Sequence, residues 1–366
     1  MTRISVDSPT DLTYMVCEYV ICLVENGGNM LFKLTSRFLV ASSLLFCIVI
    51  ILPVFLPFHV AAQSIKMTVG RAGVNPGLGP SFIAQKENLY AKHGLEANII
   101  ETNTAGAVQA MLGGSMQIAT GAAGGAFVTA TLEGTPPFVL VSSWVNVLPY
   151  VLFARPEIQD AKDLKGKTGQ IGSPFGTAPE VALHLGLAKL GLNPEKDVKL
   201  IQMPRSDWGN VLAQLERGDV QFTLLPPPYD RIAEKRGFRA LLSLPEMGIS
   251  WQQNGEWMQR SYLTKNREAV VRFLRVMAEA TKIYFGQKDK TVGYLTEFLG
   301  SNREDTEYGY QVYAKWADRI PRPRVEALKT NLEAIKRTTP KAATADAASF
   351  IDASLVDQLL KEGYYK

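Results

Sequence analysis

Cysteine is missing from most of this chain of 366 residues. The three cysteines that it has, Cys17, Cys22 and Cys47, all lie within the first 62 positions. From residue 63 onward the sequence therefore excludes a disulfide bond, a thiolate metal site and a cysteine nucleophile. A long stretch without cysteine is also typical of an exported protein, because a free thiol is a liability in an oxidising compartment.

The usual catalytic motifs are missing as well. The chain contains no HExxH, no GxSxG and no phosphate-binding P-loop sequence, and these absences exclude the commonest hydrolase and metalloenzyme chemistries. After residue 63 it has two histidines, His93 at a predicted helix end and His184 inside a predicted helix, and both positions favour structural roles. Acid–base chemistry by Asp or Glu stays open, but we predict no enzyme, no catalytic residue, no cofactor and no metal.

Strong charge of either sign is absent too. The formal net charge is only +4, and no arginine-rich run with interleaved aromatic residues occurs, so nucleic acid is not an expected partner. A composition of 46% hydrophobic and 20% charged residues is typical of a globular protein. The length exceeds that of one typical domain and favours two domains or one large one.

The first 62 residues have the order of a secretory signal. A short basic stretch begins at Met30, and residues 38–60 then contain no Asp, Glu, Lys or Arg. Small residues before Gln63 provide a cleavage site, so we predict a cleaved signal peptide and a periplasmic protein. If the segment is not cut, it is long enough to anchor the protein in a membrane. The residues before Met30 sit awkwardly upstream of a signal, and we expect Met30 to be the true start.

Two series of alternating strands and helices follow the signal. Apolar strands are predicted at 65–69, 95–100, 116–120 and 138–142 in the first series, and at 198–202 and 220–225 in the second. This alternation predicts an α/β fold with largely parallel sheets. The segments 114–119 and 218–223 resemble each other, which indicates one unit used once in each of two similar domains.

The last hundred residues differ in character, because they contain helical patterns and no long hydrophobic strand. We expect this helical tail to pack back on the first domain. Its helices are predicted at 268–285, 292–299, 303–316, 324–336 and 347–362.

A glycine-rich turn at residues 172–176 joins a short buried strand to a helix. Thr177 and Glu180 have the Thr-x-x-Glu spacing of a capping box, which makes Thr177 the predicted N-cap of that helix. Free N–H groups at a helix start can bind an anion or a polar ligand head. An ordinary strand-to-helix turn is the alternative, and this stretch alone does not decide between them.

Several stretches then resemble a known family. They are residues 82–90 and 93–96, the two units at 114–119 and 218–223, residues 163–167, and Gly172-Ser173 before the capped helix. In this order they are similar to the solute-binding proteins of ABC importers of the nitrate/sulfonate/taurine type and of the related thiamine-precursor-binding group. The resemblance covers residues 65–340. Gln117 and Gln221 stand where that family commonly has acidic residues, so the ligand is left open.

The resemblance implies a periplasmic-binding-protein-like fold of type II, in which two α/β domains surround a ligand cleft. Domain I would comprise 63–153 with 246–366, and domain II 154–245, with crossovers near 152–154 and 244–245. The partners implied are a small anionic or planar solute, an ABC permease and its ATPase, for a protein that acts as a monomer. In open α/β sheets the ligand crevice lies beyond the carboxyl ends of the strands, and the loops there give these expected ligand-binding residues: Leu78, Gly79, Gly121, Ala122, Trp144, Ser173, Phe175, Gly176, Thr177, Trp208 and Tyr229.

Two other functions stay open for a chain of this fold. One is an enzyme related to thiamine-precursor synthesis, although the histidine and the cysteine-rich motif of such enzymes are not found here. The other is a ligand-sensing receptor module. Individual side chains also leave alternatives: the loop aromatic residues, including Trp251, could stack on a ligand or fill a domain interface, and Arg205 could pair with an anion or face solvent.

Overall fold

The computed structural model describes residues 64–173, 177–203 and 207–365. The predicted signal segment lies outside these ranges, and so do three residues of the expected site region, Phe175, Gly176 and Arg205. Ser173 and Thr177 lie within them, on the two sides of the first gap.

Ten strands among the described residues form two five-stranded sheets. The first sheet contains β1 (Ile65–Ala72), β2 (Leu95–Thr102), β3 (Ile118–Ala122), β4 (Phe138–Val145) and β10 (Asn254–Gln259). The second contains β5 (Val151–Ala154), β6 (Thr168–Ile171), β7 (Lys199–Gln202), β8 (Phe222–Leu225) and β9 (Arg239–Ser243). Their spatial orders are β2-β1-β3-β10-β4 and β7-β6-β8-β5-β9.

Helices cover the sheets and fill the C-terminal part of the chain. In order, the α-helices are α1 (Gly79–Lys86), α2 (Leu89–Lys92), α3 (Thr104–Leu112), α4 (Gly125–Leu132), α5 (Ala178–Lys189), α6 (Trp208–Arg217), α7 (Tyr229–Lys235), α8 (Arg260–Lys265), α9 (Arg267–Gly286), α10 (Lys288–Leu299), α11 (Arg303–Trp316), α12 (Val325–Ile335) and α13 (Ser354–Lys361). Short 3₁₀ helices span Pro76–Leu78, Ala161–Leu164, Pro245–Met247, Pro340–Thr344 and Ala347–Phe350.

The two sheets have the same plan. In each, three neighbouring strands are parallel and the fourth strand in the spatial order runs antiparallel to both of its neighbours. That fourth strand is β10 in the first sheet and β5 in the second, and each enters its sheet directly after the chain has left the other one. The α/β class and the use of one unit twice are therefore confirmed, and each largely parallel sheet is mixed, with four strands in one direction and one in the other.

The chain passes between the sheets at two places. The first passage lies between Val145 and Val151, and the second between Ser243 and Asn254. Residues 152–154, which we expected at a crossover, are instead part of β5 and pair with both β8 and β9. The apolar Val-Leu-Phe-Ala sequence is buried between those two strands, which explains why it extends the sheet. The limits of the two domains stay a prediction.

The C-terminal helices pack on the first sheet, as expected. Two apolar clusters lie on its two faces, because successive residues of a strand point to opposite sides: in β10, Met258 joins the cluster with α9 and α10, and Trp257 joins the one with α3, α4 and α12. The 20-residue α9 buries one long apolar stripe against the sheet. The helix predicted at 347–362 is wrong in part, since the chain there forms a 3₁₀ turn before α13.

Within the described ranges, none of the helices combines the length and the apolar character that crossing a membrane requires.

Candidate functional site

The turn after β1 packs against the last residues of β3 at the carboxyl edge of the first sheet. Gly121 has φ +70°, and a Cβ built on it would lie 1.7 Å from Cδ2 of Leu78. Only glycine allows this approach, since both the space and the left-handed backbone exclude a side chain. The structure thus brings together Leu78 and Gly121, which the sequence predicted for the site. Leu78 is fully buried, so it packs the edge of the sheet and presents no side chain to a solute.

Gly79 and Ala122 support the same loops from inside the protein. A Cβ on Gly79 would lie 2.6 Å from Cε2 of Tyr284 in α9, so this residue packs against the C-terminal helical layer. Ala122 is also fully buried, and its carbonyl oxygen accepts a hydrogen bond from Nε2 of Gln252 at 3.1 Å. Both residues shape the edge of the sheet without presenting a side chain to a solute.

Trp144 fixes the turn after β1. We expected it just past the end of its strand, but it lies inside β4 with 6% of its surface exposed. Its indole Nε1 donates a hydrogen bond to the carbonyl oxygen of Gly77 at 2.7 Å. Because the ring is buried and its donor is used, Trp144 positions the loop rather than offering a face for stacking.

Ser173 and Thr177 stand on either side of the glycine-rich turn of the second sheet. Ser173 follows β6 and is buried, Thr177 precedes α5, and their hydroxyl oxygens lie 2.5 Å apart. Thr177 occupies the N-cap, as predicted, with extended backbone angles (φ −111°, ψ 165°), but its side chain makes no capping hydrogen bond. The hydroxyls of Ser173 and Thr177 are hydrogen-bonded to each other. Two hydroxyl groups therefore lie at the start of α5.

The other half of the predicted capping box is wrong as well. The carboxylate of Glu180 accepts a hydrogen bond from Arg337 at 3.0 Å. Arg337 follows α12, so this ion pair joins the first turn of α5 to the C-terminal helices. His184, one turn further along α5, lies 3.9 Å from the same carboxylate. Burial lowers the pKa of this histidine, which favours its neutral form.

Trp208 and Tyr229 begin two neighbouring helices at the carboxyl edge of the second sheet. Asp207 caps α6 by accepting from the backbone N–H of Asn210 at 3.1 Å, which fixes the first turn that carries Trp208. Tyr229 opens α7 and comes near the same turn, since a Cβ on Gly209 would lie 3.8 Å from its Cε1. Burial and, next, the charge of Asp207 raise the pKa of the Tyr229 phenol, so it stays a hydrogen-bond donor at neutral pH.

The two passages between the sheets supply residues that the sequence did not reveal. Tyr150 lies in the first and Gln253 in the second, and Nε2 of Gln253 is 3.3 Å from the hydroxyl of Tyr150. The rings of Tyr150 and Trp208 are 5.7 Å apart between centroids and tilted by 45°. Neither segment has the periodic pattern of a helix or a strand. The one sequence feature that could have pointed to this contact is the aromatic Tyr150 directly before β5.

Trp251 belongs to the core and not to the cleft. It is 1% exposed and joins the apolar cluster of the second sheet. Its neighbour Gln252 exchanges backbone hydrogen bonds with the side chain of Asn331 in α12. The second passage is therefore fixed by the core of the second sheet through Trp251 and by α12 through Gln252.

Loops from both sheets converge on one helix. A Cβ on Gly309 of α11 would lie 3.0 Å from Pro76, in the turn after β1, and 3.5 Å from Pro228, in the loop after β8. The turn after β1 and the loop after β8, which follow the carboxyl ends of strands in the two sheets, therefore both lie against α11. The described residues contain no group of acidic or histidine side chains that could hold a metal ion.

Known proteins share this sequence and this architecture. The family described as NMT1/THI5 like matches residues 75–290. A protein of Brucella abortus (strain 2308), named only as a candidate binding protein, is 27% identical over 262 residues, which are 69% of this chain and 77% of the relative.

Two solved structures share this fold. The alkanesulfonate-binding protein SsuA of Xanthomonas axonopodis pv. citri, bound to MOPS, superposes with a TM-score of 0.64 at 15% identity, over 80% of this chain and 99% of that one. The periplasmic nitrate-binding protein NrtA of Synechocystis PCC 6803 gives 0.65 at 15% identity, over 82% and 89%. Identities this low establish a shared fold, which is that of the periplasmic binding proteins. Since the family match covers more than half of its length, the chain belongs to the NMT1/THI5-like family.

Proposed function

We propose that this protein is the solute-binding component of an ABC import system and that it binds a small anionic or planar organic solute by closure of its two sheets around the cleft. The observation that carries the proposal is the convergence of the loops after β1 and β8 on Gly309. In open α/β sheets ligands bind beyond the carboxyl ends of the strands, and here two such edges meet.

The chemistry of the second-sheet wall supports a polar or anionic solute head. The paired hydroxyls of Ser173 and Thr177 lie at the start of α5, a helix of 12 residues. Backbone N–H groups and the helix dipole favour negative charge at such a position. The phenol of Tyr229 adds a donor at the same edge of the sheet, since the parallel strands β6 and β8 both end there. The proteins of similar fold are named for alkanesulfonate and nitrate.

The same proposal includes the cell compartment and the partners. A solute-binding protein of this fold delivers its ligand to a permease that an ATPase drives, and it does so outside the cytoplasmic membrane. The signal-like segment before Gln63 agrees with export to the periplasm after cleavage. We also propose that the protein acts as a monomer, because closure of one cleft requires no second copy.

A thermal-shift screen tests the function. The panel contains nitrate, bicarbonate, alkyl and aryl sulfonates including MOPS, aromatic carboxylates, pyrimidines and polyamines. A solute at about 100 times its dissociation constant stabilises the folded state by roughly 2.7 kcal/mol, which raises Tm by about 4 °C for a chain of this size. Chromatography before and after incubation then shows whether the compound is unchanged, as binding requires, or consumed, as an enzyme would require.

A matched pair of variants places the binding site. Ser173→Ala removes one hydroxyl of the pair at α5 and should reduce the thermal shift of the hit. Ser115→Ala removes a hydroxyl that donates to the carbonyl of Ala110, before β3 and so at the opposite edge of the first sheet, and should leave the shift unchanged. Equal thermal shifts in both variants would mean that the solute does not bind at the start of α5.

A further inference from the structure

One contact joins the second-sheet half of the cleft to the C-terminal helices at its rim. Helix α7 belongs to the second sheet, because Ala233 packs in an apolar cluster with β8. Helix α11 belongs to the first, because Tyr310 and Tyr313 pack in the cluster of β1 and α9. The two helices meet where Pro228 approaches Gly309. Any separation of the sheets by hinge motion must open this contact.

A partly buried hydrogen bond joins the two helices in this contact. The hydroxyl of Tyr308 donates to Oδ2 of Asp230 at 3.0 Å, and Asp230 is 6% exposed. Its other oxygen accepts from the backbone N–H of Arg231 at 2.7 Å. The guanidinium of Arg231 in turn lies 5.1 Å from the ring centroid of Tyr308. A carboxyl group of one half is thus enclosed by groups of both halves.

Complementary charges surround this hydrogen bond. Helix α7 contributes Arg231 and Lys235, which contact Glu304 of α11 at 3.1 and 3.0 Å. Lys235 also lies 3.2 Å from Asp305. The two pairs with Glu304 are exposed and contribute little on their own. Asp230 of α7 and Asp305 of α11 are the buried carboxyl groups of the contact, and Asp230 is the one that accepts a hydrogen bond from a tyrosine of the other helix.

We propose that the contact between α7 and α11 is a latch that holds the solute cleft closed, and that Asp230 and Tyr308 are its positioning residues, so that the cleft closes more readily as pH falls. The inference rests on the proposed function, since a latch has a purpose only where the two halves open and close. It adds the residues that hold the closed form and the direction of its response to protons.

The direction follows from the surroundings of the carboxyl group. Burial raises the pKa of Asp230 to about 6, and the negative charge of Glu234 adds to the effect, against the hydrogen bonds from Arg231 and Tyr308. Tyr313 of α11 is also close enough for the charge of Asp230 to affect its pKa. Burial raises the pKa of Tyr313, so its phenol stays neutral. When the halves separate, Asp230 regains water and an ordinary acidity. The closed form therefore binds the proton more tightly, and protonation favours closure.

The size of the response follows from the same difference. Above pH 6 the carboxyl group is charged in both forms, and closure must remove that charge from water. Between pH 7 and pH 5 the closed form takes up the proton and the open form does not, which shifts the ratio of closed to open protein by about tenfold. Tyr308 remains a donor throughout this range, because burial raises the pKa of its phenol and the charge of Asp230 raises it further.

Small-angle X-ray scattering between pH 8 and pH 5 tests the latch. The sample is the protein as it is purified from cells, without added solute. The wild type should become more compact as pH falls through 6. Asp230→Asn keeps an acceptor for Tyr308 without a charge, so it should be compact at every pH. Tyr308→Phe removes the donor and should be more open at every pH, with the response to pH retained.

Two control variants separate the latch from other titrations. Tyr294→Phe breaks a similar tyrosine–carboxylate pair, that of Tyr294 with Glu87, which lies within the first half and does not cross the cleft; it should scatter like the wild type. His184→Gln removes the histidine beside Glu180 and should keep the pH response. The latch is refuted if Asp230→Asn keeps the response of the wild type, if His184→Gln abolishes it, or if the two tyrosine variants behave alike. Since no solute is used, a silent ligand screen would refute the proposed function without changing this result.

Discussion

The indole ring of Trp208 lies directly on the backbone of Gly172, so that a Cβ added to Gly172 would come within 2.2 Å of Cζ3 of the ring. Gly172 does not adopt a left-handed backbone, and the ring is therefore the obstacle to a side chain. The tilted ring of Tyr150 limits how far Trp208 can move away. Gly172→Ala should therefore lower the free energy of unfolding by about 1–3 kcal/mol through overpacking, as urea denaturation would measure.

A double-mutant cycle isolates this contact. In a Trp208→Ala background the ring is gone, so adding Gly172→Ala should cost much less than it does in the wild type. Gly286→Ala is the control, because a Cβ there meets no other atom within 4 Å, and its effect on stability should be within about 0.5 kcal/mol. Additive effects of the two substitutions in the cycle would show that Trp208 does not restrict residue 172.

This contact also marks the limit of what the sequence could predict. Helix limits can follow from local patterns: the helix predicted at 303–316 has those limits in the structure, because its apolar spacing and Asn302 cap define it locally. The packing of Trp208 on Gly172 and Tyr150 depends on segments that lie far apart in the chain. The sequence could place Trp208 at a helix start, but not the surface that its ring covers.

The polar strand β10 was missed for a related reason. Its Asn-Gly-Glu-Trp-Met-Gln sequence has little strand propensity, yet it is enclosed between β3 and β4. Tertiary pairing overrides the local preference there. The buried Arg71, with three side-chain partners, was also beyond prediction, because its partners come from a helix and a neighbouring strand.

Trp144 provides a prediction about the loop after β1. Trp144→Phe keeps an aromatic ring in β4 but leaves the buried carbonyl oxygen of Gly77 without its donor. An unsatisfied buried acceptor costs about 1–3 kcal/mol, so the free energy of unfolding should fall by that amount. The affinity for a solute found in the screen should fall as well, because the turn at Pro76–Leu78 loses its anchor. Trp316→Phe, whose ring packs edge-on against Tyr313, is the comparison, and equal losses of affinity in both variants would contradict the role assigned to Trp144.

Arg71 offers a test of buried charge. Its guanidinium donates to Ser81 at 2.9 Å, to Gln85 at 2.9 Å and to Glu101 at 2.7 Å, and it lies about equally close to the rings of Phe82 and Phe298. Arg71→Lys should destabilise the protein by about 2–3 kcal/mol, since one ammonium group cannot reproduce the fork of donors between two rings. Lys66→Arg, at an exposed pair with Glu96, should change stability by less than about 0.5 kcal/mol. Denaturant unfolding measures the loss. A small loss of stability in Arg71→Lys would show that the three hydrogen bonds contribute little net stability.

Glu256 carries a prediction about how stability depends on pH. This residue of β10 is fully buried, and one carboxyl oxygen accepts from Thr120 at 3.0 Å. The other oxygen has no hydrogen-bond partner among the described residues. Burial raises the pKa of the group well above its ordinary value, against the smaller opposing effect of the Thr120 hydrogen bond, so the folded protein holds Glu256 as the neutral acid.

The sign of the effect on stability follows from that shift. A group whose pKa is higher in the folded state than in the unfolded chain stabilises the fold at low pH, and this stability is lost as pH rises toward the folded value. Glu256→Gln has nearly the same shape and never ionises, and its amide can donate toward Tyr90 or Tyr365, whose buried hydroxyls lack partners among the described residues. The variant should therefore melt at a higher temperature than the wild type, with a difference that grows as pH rises above the ordinary pKa of a glutamate, from pH 5 to pH 7. Glu297→Gln, at an exposed carboxylate beside Lys86, is the control and should follow the wild-type curve. Parallel melting curves for Glu256→Gln and the wild type over that range would mean that Glu256 does not ionise on unfolding as its burial requires.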